Sequence, residues 1–469
     1  MIHDPQLPEI VHGSTGSGLA DEYARGLLGA CDGDGAPTGK KRAPDERDAL
    51  EWARSGAMAL SGPDGSPPRF APGPLASAAQ GTGAVIEQLA PGARWAGRDW
   101  AALLGERAAI AGLERAGQET AGGSGRLLQT GRGWLALNLP REDDWRLIPA
   151  WLETSMDPPE AGDDRSWRRI AALLADRDAA ELVERARLMG LAAAPAPSRI
   201  IDERPFFLRR LESERGHEGS DPSRPRVLDL STLWAGPLAG ALLAEAGADV
   251  LKVESPARPD GARSGPAAFF DLVNQGKQGA ALDLRSPADR PIFERLLESA
   301  DIVLESARPR ALSQLGYDAQ SWVAARAGRL WVSITGYGRD QEWVAFGDDA
   351  GVAAGLAWSP GARAPSFCAD AVADPLTGLH VAALILWHRS QGRGGLLDVS
   401  LRDVAARAAR PAALQAPLEV ERGPQGWRVV GPDGPVDVAA PRARAVRGRA
   451  PALCRPSPAR VDAWTRDPC

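Results

Sequence analysis

The stretch CADAVADPLTGLH, Cys368 to His380, sets two aspartates four residues apart just before an apolar run with helical spacing. A carboxylate is a weak nucleophile toward a carbonyl carbon. Chemistry at either aspartate therefore needs a site that excludes water and offers N–H donors to a developing oxyanion. Asp374 precedes Pro375, and proline favours the first helical position, so Asp374 is expected at the start of a helix over 374–390. A plainer role competes there, since aspartate is a common N-cap, worth about 1 kcal/mol. The helix dipole is expected to lower the pKa of Asp374 and keep it ionised. Asp370 stands too far ahead to cap the helix and reads as a loop residue. His380 and His388 fall inside the same apolar helix, where a histidine is usually structural.

The elements that must position these residues begin at 226. RVLDL, DVLKVE, AALDL, DIVLES, LWVSITGYG and LLDVSL are strand patterns, alternating with the helical LAGALLAEAGA and PIFERLLESA. Strands alternating with helices indicate a parallel sheet with right-handed crossovers, an α/β fold. The first crossover ends in Glu254, where a dinucleotide fold places its ribose-binding acid. Its turn, STLWAGP, holds only Gly236 and lacks the three-glycine fingerprint, which argues against NAD. Another phosphate-bearing ligand can still be received at such a helix N-terminus. Upstream, 50–60 and 76–90 have helical spacing around a Pro-rich loop. RLLQTGRGWLALNL (126–139) reads as a hairpin, and 142–153, 166–175 and 178–190 read as helices. The Arg-, Glu-, Ser- and Pro-rich 196–225 reads as an exposed linker, and the last stretch shows no periodicity.

Composition narrows the classes. The 469 residues allow two or three domains, and 44% hydrophobic with 25% charged content is that of a soluble globular chain. A net charge of -6 and the lack of a basic stripe argue against nucleic acid as partner. Cys31, Cys368, Cys454 and Cys469 form no CxxC pair or Cys/His cluster, so no metal site is expected. No apolar run approaches the ~18–20 residues of a membrane span. The opening MIHDPQLPEI lacks the plan of a secretory signal, so a cytoplasmic location is expected. Abundant Gly, Pro and Ala with scarce Lys suggest GC-rich bacterial coding.

Six segments follow one another in a recognisable order: RVLDLSTLWAGPLAGALLAEAGADVLKVE, NQGKQGAALDL, DIVLESARPRALSQLGYD, WVSITGYG, VADPLTGLHVAAL and QGRGGLLDVSL. Together they resemble the class III (CaiB/BaiF-type) CoA-transferases, most strongly over 226–401. The resemblance implies a parallel-sheet, Rossmann-like large domain with a smaller α+β domain. It implies transfer of coenzyme A between carboxylic acids through an acyl-aspartyl anhydride, with Asp374 as the nucleophile. Acyl-CoA and an acceptor acid would be the partners, no tightly bound cofactor would be needed, and a homodimer is implied. Positions matching the family's CoA contacts are Leu233, Trp234, Ala235, Lys277, Ser306, Ala307 and Arg308. Arg258, Arg263, Lys277 and Arg308 would pair with CoA phosphates. Ser306-Ala307 departs from the family's usual Asn-Phe and removes an amide and an aromatic wall. The family's racemase branch uses a histidine where Asp348 stands in FGDDAG, which disfavours that activity. A non-catalytic acyl-CoA-binding paralogue is a further alternative.

The N-terminal half contains an echo. EWARSGAMALSGPDGSPPRFAPGPLASAAQG (51–81) parallels DDAGVAAGLAWSPGARAPSFCADAVADPLTG (348–378), with Ser77 at the place of Asp374. No His–acid partner for Ser77 is apparent, so a degenerate structural copy is expected over 49–95. Residues 96–200 resemble the family's small domain, and Gly122, Gly123 and Gly125 match its glycine-rich loop, which closes over the active-site aspartate. Glycines there expose backbone N–H groups and tolerate positive φ. The expected order is thus unassigned 1–48, the copy, the small domain, a linker at 201–225, a large domain at 226–450 and an irregular tail at 451–469.

Overall fold

Strand-forming residues spread over almost two hundred positions build one seven-stranded sheet in the computed structural model, which describes residues 18–32, 46–197, 204–217, 221–308, 310–359, 361–410 and 418–465. Before it come β1 (Gly125–Gln129), β2 (Trp134–Asn138) and β3 (Ala192–Pro195), an antiparallel sheet whose first two strands are the expected hairpin. Helices Glu142–Leu152, Asp164–Leu174 and Ala179–Leu188 cover it and bury Trp145, Trp151 and Trp167.

The large sheet comprises β4 (Phe207–Glu212), β5 (Arg226–Leu230), β6 (Asp249–Glu254), β7 (Gln278–Ala281), β8 (Ile302–Glu305), β9 (Leu330–Thr335) and β10 (Gly395–Ser400). Their spatial order is β4-β10-β9-β8-β5-β6-β7. All neighbours are parallel except the edge pair β4–β10. The six parallel strands follow the doubly wound order, in which ligands bind outside the carboxyl ends where the order reverses, here between β5 and β8. Strands β8, β9 and β10 are buried at every residue, as a sheet covered on both faces requires. A third sheet, β11 (Glu419–Gly423), β12 (Gly426–Gly431) and β13 (Gly434–Asp437), packs on helix Glu46–Arg54.

Two expectations need correction, and the part left unassigned gains an element. Within the supposed exposed linker, Phe207–Glu212 is β4, and Phe206 and Phe207 are buried. The supposed irregular tail contains helix Pro458–Thr465, which buries Val461 and Trp464. The unassigned start contains a fifteen-residue helix, Gly18–Asp32.

Helix Ala373–Ser390 is the centre of the molecule. It packs on helix Ala235–Glu245 and on helix Leu75–Leu89, which in turn packs on Gly18–Asp32. Glycines permit both close crossings. A Cβ on Gly378 would fall 2.7 Å from the Ala235 carbonyl oxygen, and one on Gly81 would overlap the Ala20 carbonyl oxygen. Gly81 and Gly378 are matching positions of the echo, so the two helix pairs repeat one crossing. The Pro-rich loops repeat the meeting: Arg69 donates to the hydroxyl of Ser366, its own counterpart, at 3.1 Å. An element that meets its own counterpart is the mark of a two-fold relation.

Candidate active site

Asp374 is the second residue of helix Ala373–Ser390, not its cap. The N-cap is Val372, which makes no side-chain bond, and the Asp374 N–H already bonds the Ala371 carbonyl at 2.9 Å. Pro375, in the first turn, forfeits no helical hydrogen bond. The carboxylate of Asp374 is therefore spare. It accepts from the Gly347 N–H, and a Cβ on Gly347 would lie 2.7 Å from its Oδ2.

The segment ahead of the helix is held in an unusual backbone. Among the described residues, the non-glycine residues with left-handed φ are Glu153, Leu233, Ala369 and Ala371. Two of them flank Asp370, and Leu233 lies in the loop after β5. Such residues cost about 1–2 kcal/mol each and persist only where surrounding contacts over-determine them. Here Ala369 N–H bonds Ser61 Oγ and Ala371 N–H bonds Asp348 Oδ1, both at 2.9 Å.

Three aspartates meet at this place. Asp370 and Asp348 are buried, while Asp374 is only partly buried. Asp370 pairs through both oxygens with Arg107, from helix Glu106–Ala111 of the N-terminal half, with Nε to Oδ2 at 2.8 Å. The loop aspartate of the sequence reading is thus a buried ion-pair member. Burial pushes the Asp374 carboxyl up to about 7; Arg107 opposes this, and Asp348 and Asp370 add to it. The expectation of a lowered pKa is overturned, because desolvation and two neighbouring acids outweigh a helix N-terminus. Burial and Asp370 likewise lift Asp348, to about 6. Its neighbour Asp349, lifted to about 7 by burial, accepts from Asn138 Nδ2 at 3.3 Å and from the Phe346 N–H at 3.0 Å.

The glycine loop lies against the same cluster. A Cβ on Gly122 would stand 3.6 Å from Arg107 Nη2, and Gly123 has φ 79°. Thr120 pins the loop, its Oγ1 accepting from Gly125 N–H at 3.0 Å. The Gly117 carbonyl accepts from the Phe367 N–H at 2.8 Å and ties the loop to the segment before Asp370.

The expected CoA contacts divide into two groups. Leu233, Ser306, Ala307, Arg258 and Arg308 lie in loops after β5, β6 and β8, at the carboxyl edge of the sheet. Ser306 Oγ accepts from Thr232 N–H at 3.0 Å, and Asp260 Oδ1 accepts from Leu233 N–H at 2.9 Å. Arg258 and Arg308 are exposed, and the Arg308 guanidinium reaches toward Gly190 of the small-sheet region. Trp234 and Ala235 are buried at the helix start. Lys277 is a correction: its Nζ is wholly buried and bonds Asp229 and the Pro237 carbonyl at 2.8 Å and Asn274 at 3.0 Å. Those bonds saturate its three protons, leaving none for a phosphate. Arg263 is engaged with Glu254 at 2.7 and 2.9 Å, which also occupies the acid suspected of ribose binding. Arg107 itself carries no motif in the sequence and lies 263 positions from its partner.

His380 and His388 are core residues, their Nδ1 atoms 2.7 and 2.8 Å from the Leu376 and Leu384 carbonyls. Ser77 is buried, its hydroxyl 2.8 Å from Asp48 and 2.6 Å from Glu51. Among the described residues no group of three His, Cys, Asp or Glu could hold a metal ion, and no helix is long and apolar enough to cross a membrane. Cys469 lies outside the described residues.

Residues 224–442 match the sequence model of CoA-transferase family III. The matched segment contains Asp374, its two companion aspartates and all six parallel strands. It is 31% identical over 202 residues to a succinate–glutarate CoA-transferase of Agrobacterium fabrum, covering 38% of this chain and 50% of the relative. It is 33% identical over 226 residues to a succinyl-CoA:(R)-benzylsuccinate CoA-transferase subunit of Thauera aromatica, covering 44% and 55%. A solved CaiB/BaiF family protein from Brucella suis aligns with a TM-score of 0.40 and 26% identity, over 45% of this chain and 65% of that one. The chain spans about half the length of the curated relatives it matches.

Proposed function

We propose that the protein transfers coenzyme A between carboxylic acids through an acyl–Asp374 anhydride. The observation that carries this reading is that Asp374 alone of three clustered aspartates is open to a ligand, with its carboxylate unused by the helix it begins. In the first step a carboxylate oxygen of Asp374 attacks the thioester carbonyl carbon. The tetrahedral intermediate collapses, the C–S bond breaks, and CoA thiolate leaves with the electron pair. CoA thiolate then attacks the Asp374 side-chain carbonyl of the anhydride and expels the donor acid. The acceptor carboxylate attacks the resulting aspartyl–CoA thioester, forming a second anhydride and releasing thiolate, which takes the acceptor acyl group and frees Asp374. A more basic carboxylate is a better nucleophile, so the raised pKa of Asp374 favours attack once the group is ionised. Arg107 and the Gly347 N–H offset part of the negative charge that gathers on the cluster.

The crevice between the loops after β5 and β8 is the natural seat of the CoA moiety, with exposed Arg258 and Arg308 as phosphate partners. The two relatives named above carry succinate, glutarate, succinyl-CoA or benzylsuccinate in their names, which makes succinyl-CoA the first donor to try. The test is to incubate the protein with succinyl-CoA and other acyl-CoAs, add hydroxylamine, and look by mass spectrometry for a hydroxamate at Asp374. A hydroxamate there and exchange into a labelled acid are expected. CoA binding without adduct or exchange would sink the transferase reading in favour of a binding paralogue.

A further inference from the structure

We infer that Arg107, carried by the N-terminal half, is a positioning residue for this site, holding Asp370 in place and supplying, among the described residues, the one guanidinium that faces the three aspartates. The functional consequence rests on the reading of Asp374 as nucleophile, whereas the electrostatic role does not.

The geometry leaves the guanidinium little freedom. Two of its nitrogens fork onto the oxygens of Asp370, which is fully buried. Its centre lies 5.5 Å from the Trp234 ring, and the glycine loop meets its Nη2. The helix that carries it is fixed from the far side, where Arg444 forks onto Glu106 at 2.7 and 2.9 Å. Arg107 is therefore held by several neighbours, not by one flexible contact, and a bidentate fork is a geometry that lysine cannot reproduce.

The charges facing Asp374 can be named element by element. Helix 106–111 contributes Arg107, the loop before the helix contributes Asp370, and helix Gly347–Ala353 contributes Asp348 and the Gly347 N–H. Asp348 in turn raises Asp349, which accepts from Asn138. Three carboxylates thus meet a single guanidinium. Without it, Asp374 ionises only against two acids and the cost of desolvation. With it, one acid is paired and the reachable one is freed to ionise near neutrality.

The test uses the full chain labelled with carboxyl-13C aspartate, with the Asp374 resonance identified by its loss in Asp374→Asn. Arg107→Gln is expected to move the Asp374 titration midpoint up by about one to three pH units. The rising limb of CoA exchange against pH should move with it. Arg107→Lys keeps the charge and should restore most of the midpoint while the rate stays reduced. Asp370→Asn removes a repelling charge and should move the midpoint down, which keeps the proposal testable if Arg107→Gln fails to fold. A folded Arg107→Gln that titrates as the wild type, or an Asp370→Asn that moves upward, overturns the proposal. If the shifts appear in a protein that exchanges no CoA, the positioning role stands and the transferase reading is what fails.

Discussion

Ser77 and Asp374 stand at matching places in two helices that pack against each other, and their surroundings match further than their chemistry. Each helix is crossed closely at a glycine, Gly81 or Gly378, and each follows a Pro-rich loop that touches the other. Glu51 occupies in the first half the place of Asp348 in the second. Beside Glu51 sits a hydroxyl, which donates to the acid and is content to be buried. Beside Asp348 sits a second carboxyl group, which repels it when both are ionised. In the first arrangement the hydroxyl is buried and hydrogen-bonded to both acids. The second leaves acids in excess, strains the backbone on both sides of Asp370, and keeps one acid within reach. Two packings with different chemistry can therefore share one frame, separated by the group at a single helix position and by what covers it.

That contrast can be broken most severely at the two residues themselves. Asp374→Asn should lower CoA exchange by about a thousandfold or more. Ser77→Ala should leave the rate near that of the wild type and cost about 1–2 kcal/mol of stability, because it removes a buried hydroxyl that is hydrogen-bonded to Asp48 and Glu51. Equal loss of rate in both would mean that the halves are not divided in this way. Next in size, Lys277→Ala should cost about 3–5 kcal/mol in denaturant unfolding by stranding buried Asp229. A raised KM for CoA at unchanged stability would restore the phosphate contact expected from sequence. Gly378→Ala and Gly81→Ala should each cost about 1–3 kcal/mol, by forcing apart the two equivalent crossings. A large difference between them would show that the crossings are not energetically alike.

The smallest effects are those of pH. Exchange should rise as Asp374 ionises through about 7. Its folded pKa lies above the unfolded value of 3.8, so the folded chain holds a proton that the unfolded chain has lost. The associated stability is complete below about pH 4 and is lost as pH rises through about 7. Asp374→Asn lacks this loss, so its melting temperature should gain on the wild type between pH 5 and pH 8. A constant difference across that range would place the Asp374 pKa elsewhere.

Much of the large sheet is legible in the sequence because alternating buried strands and helices leave few parallel arrangements. β4 is hidden for a physical reason. FLRRLE lies at a sheet edge, where charged residues guard the open hydrogen bonds, and Arg210 pairs with Asp398 of β10 at 2.8 Å. Such a strand looks like linker until its neighbour is known. Asp374 is legible from the Asp-Pro step and the surrounding family resemblance. Its protonation is not, because that depends on Asp348 and Asp370 and on burial. Lys277 misleads because a lysine near a phosphate loop and a lysine neutralising a core aspartate read alike in one dimension. Arg107 is invisible because its meaning comes entirely from a partner far along the chain.

The Arg107–Asp370 pair has one more consequence. It joins the halves of a single polypeptide, so their encounter is governed by an effective concentration set by the connecting chain and not by how much protein is in solution. Dilution, which dissolves a site shared between separate subunits, cannot separate these two side chains. The cluster around Asp374 is therefore assembled as soon as the chain has folded, in the same one-to-one proportion in every molecule.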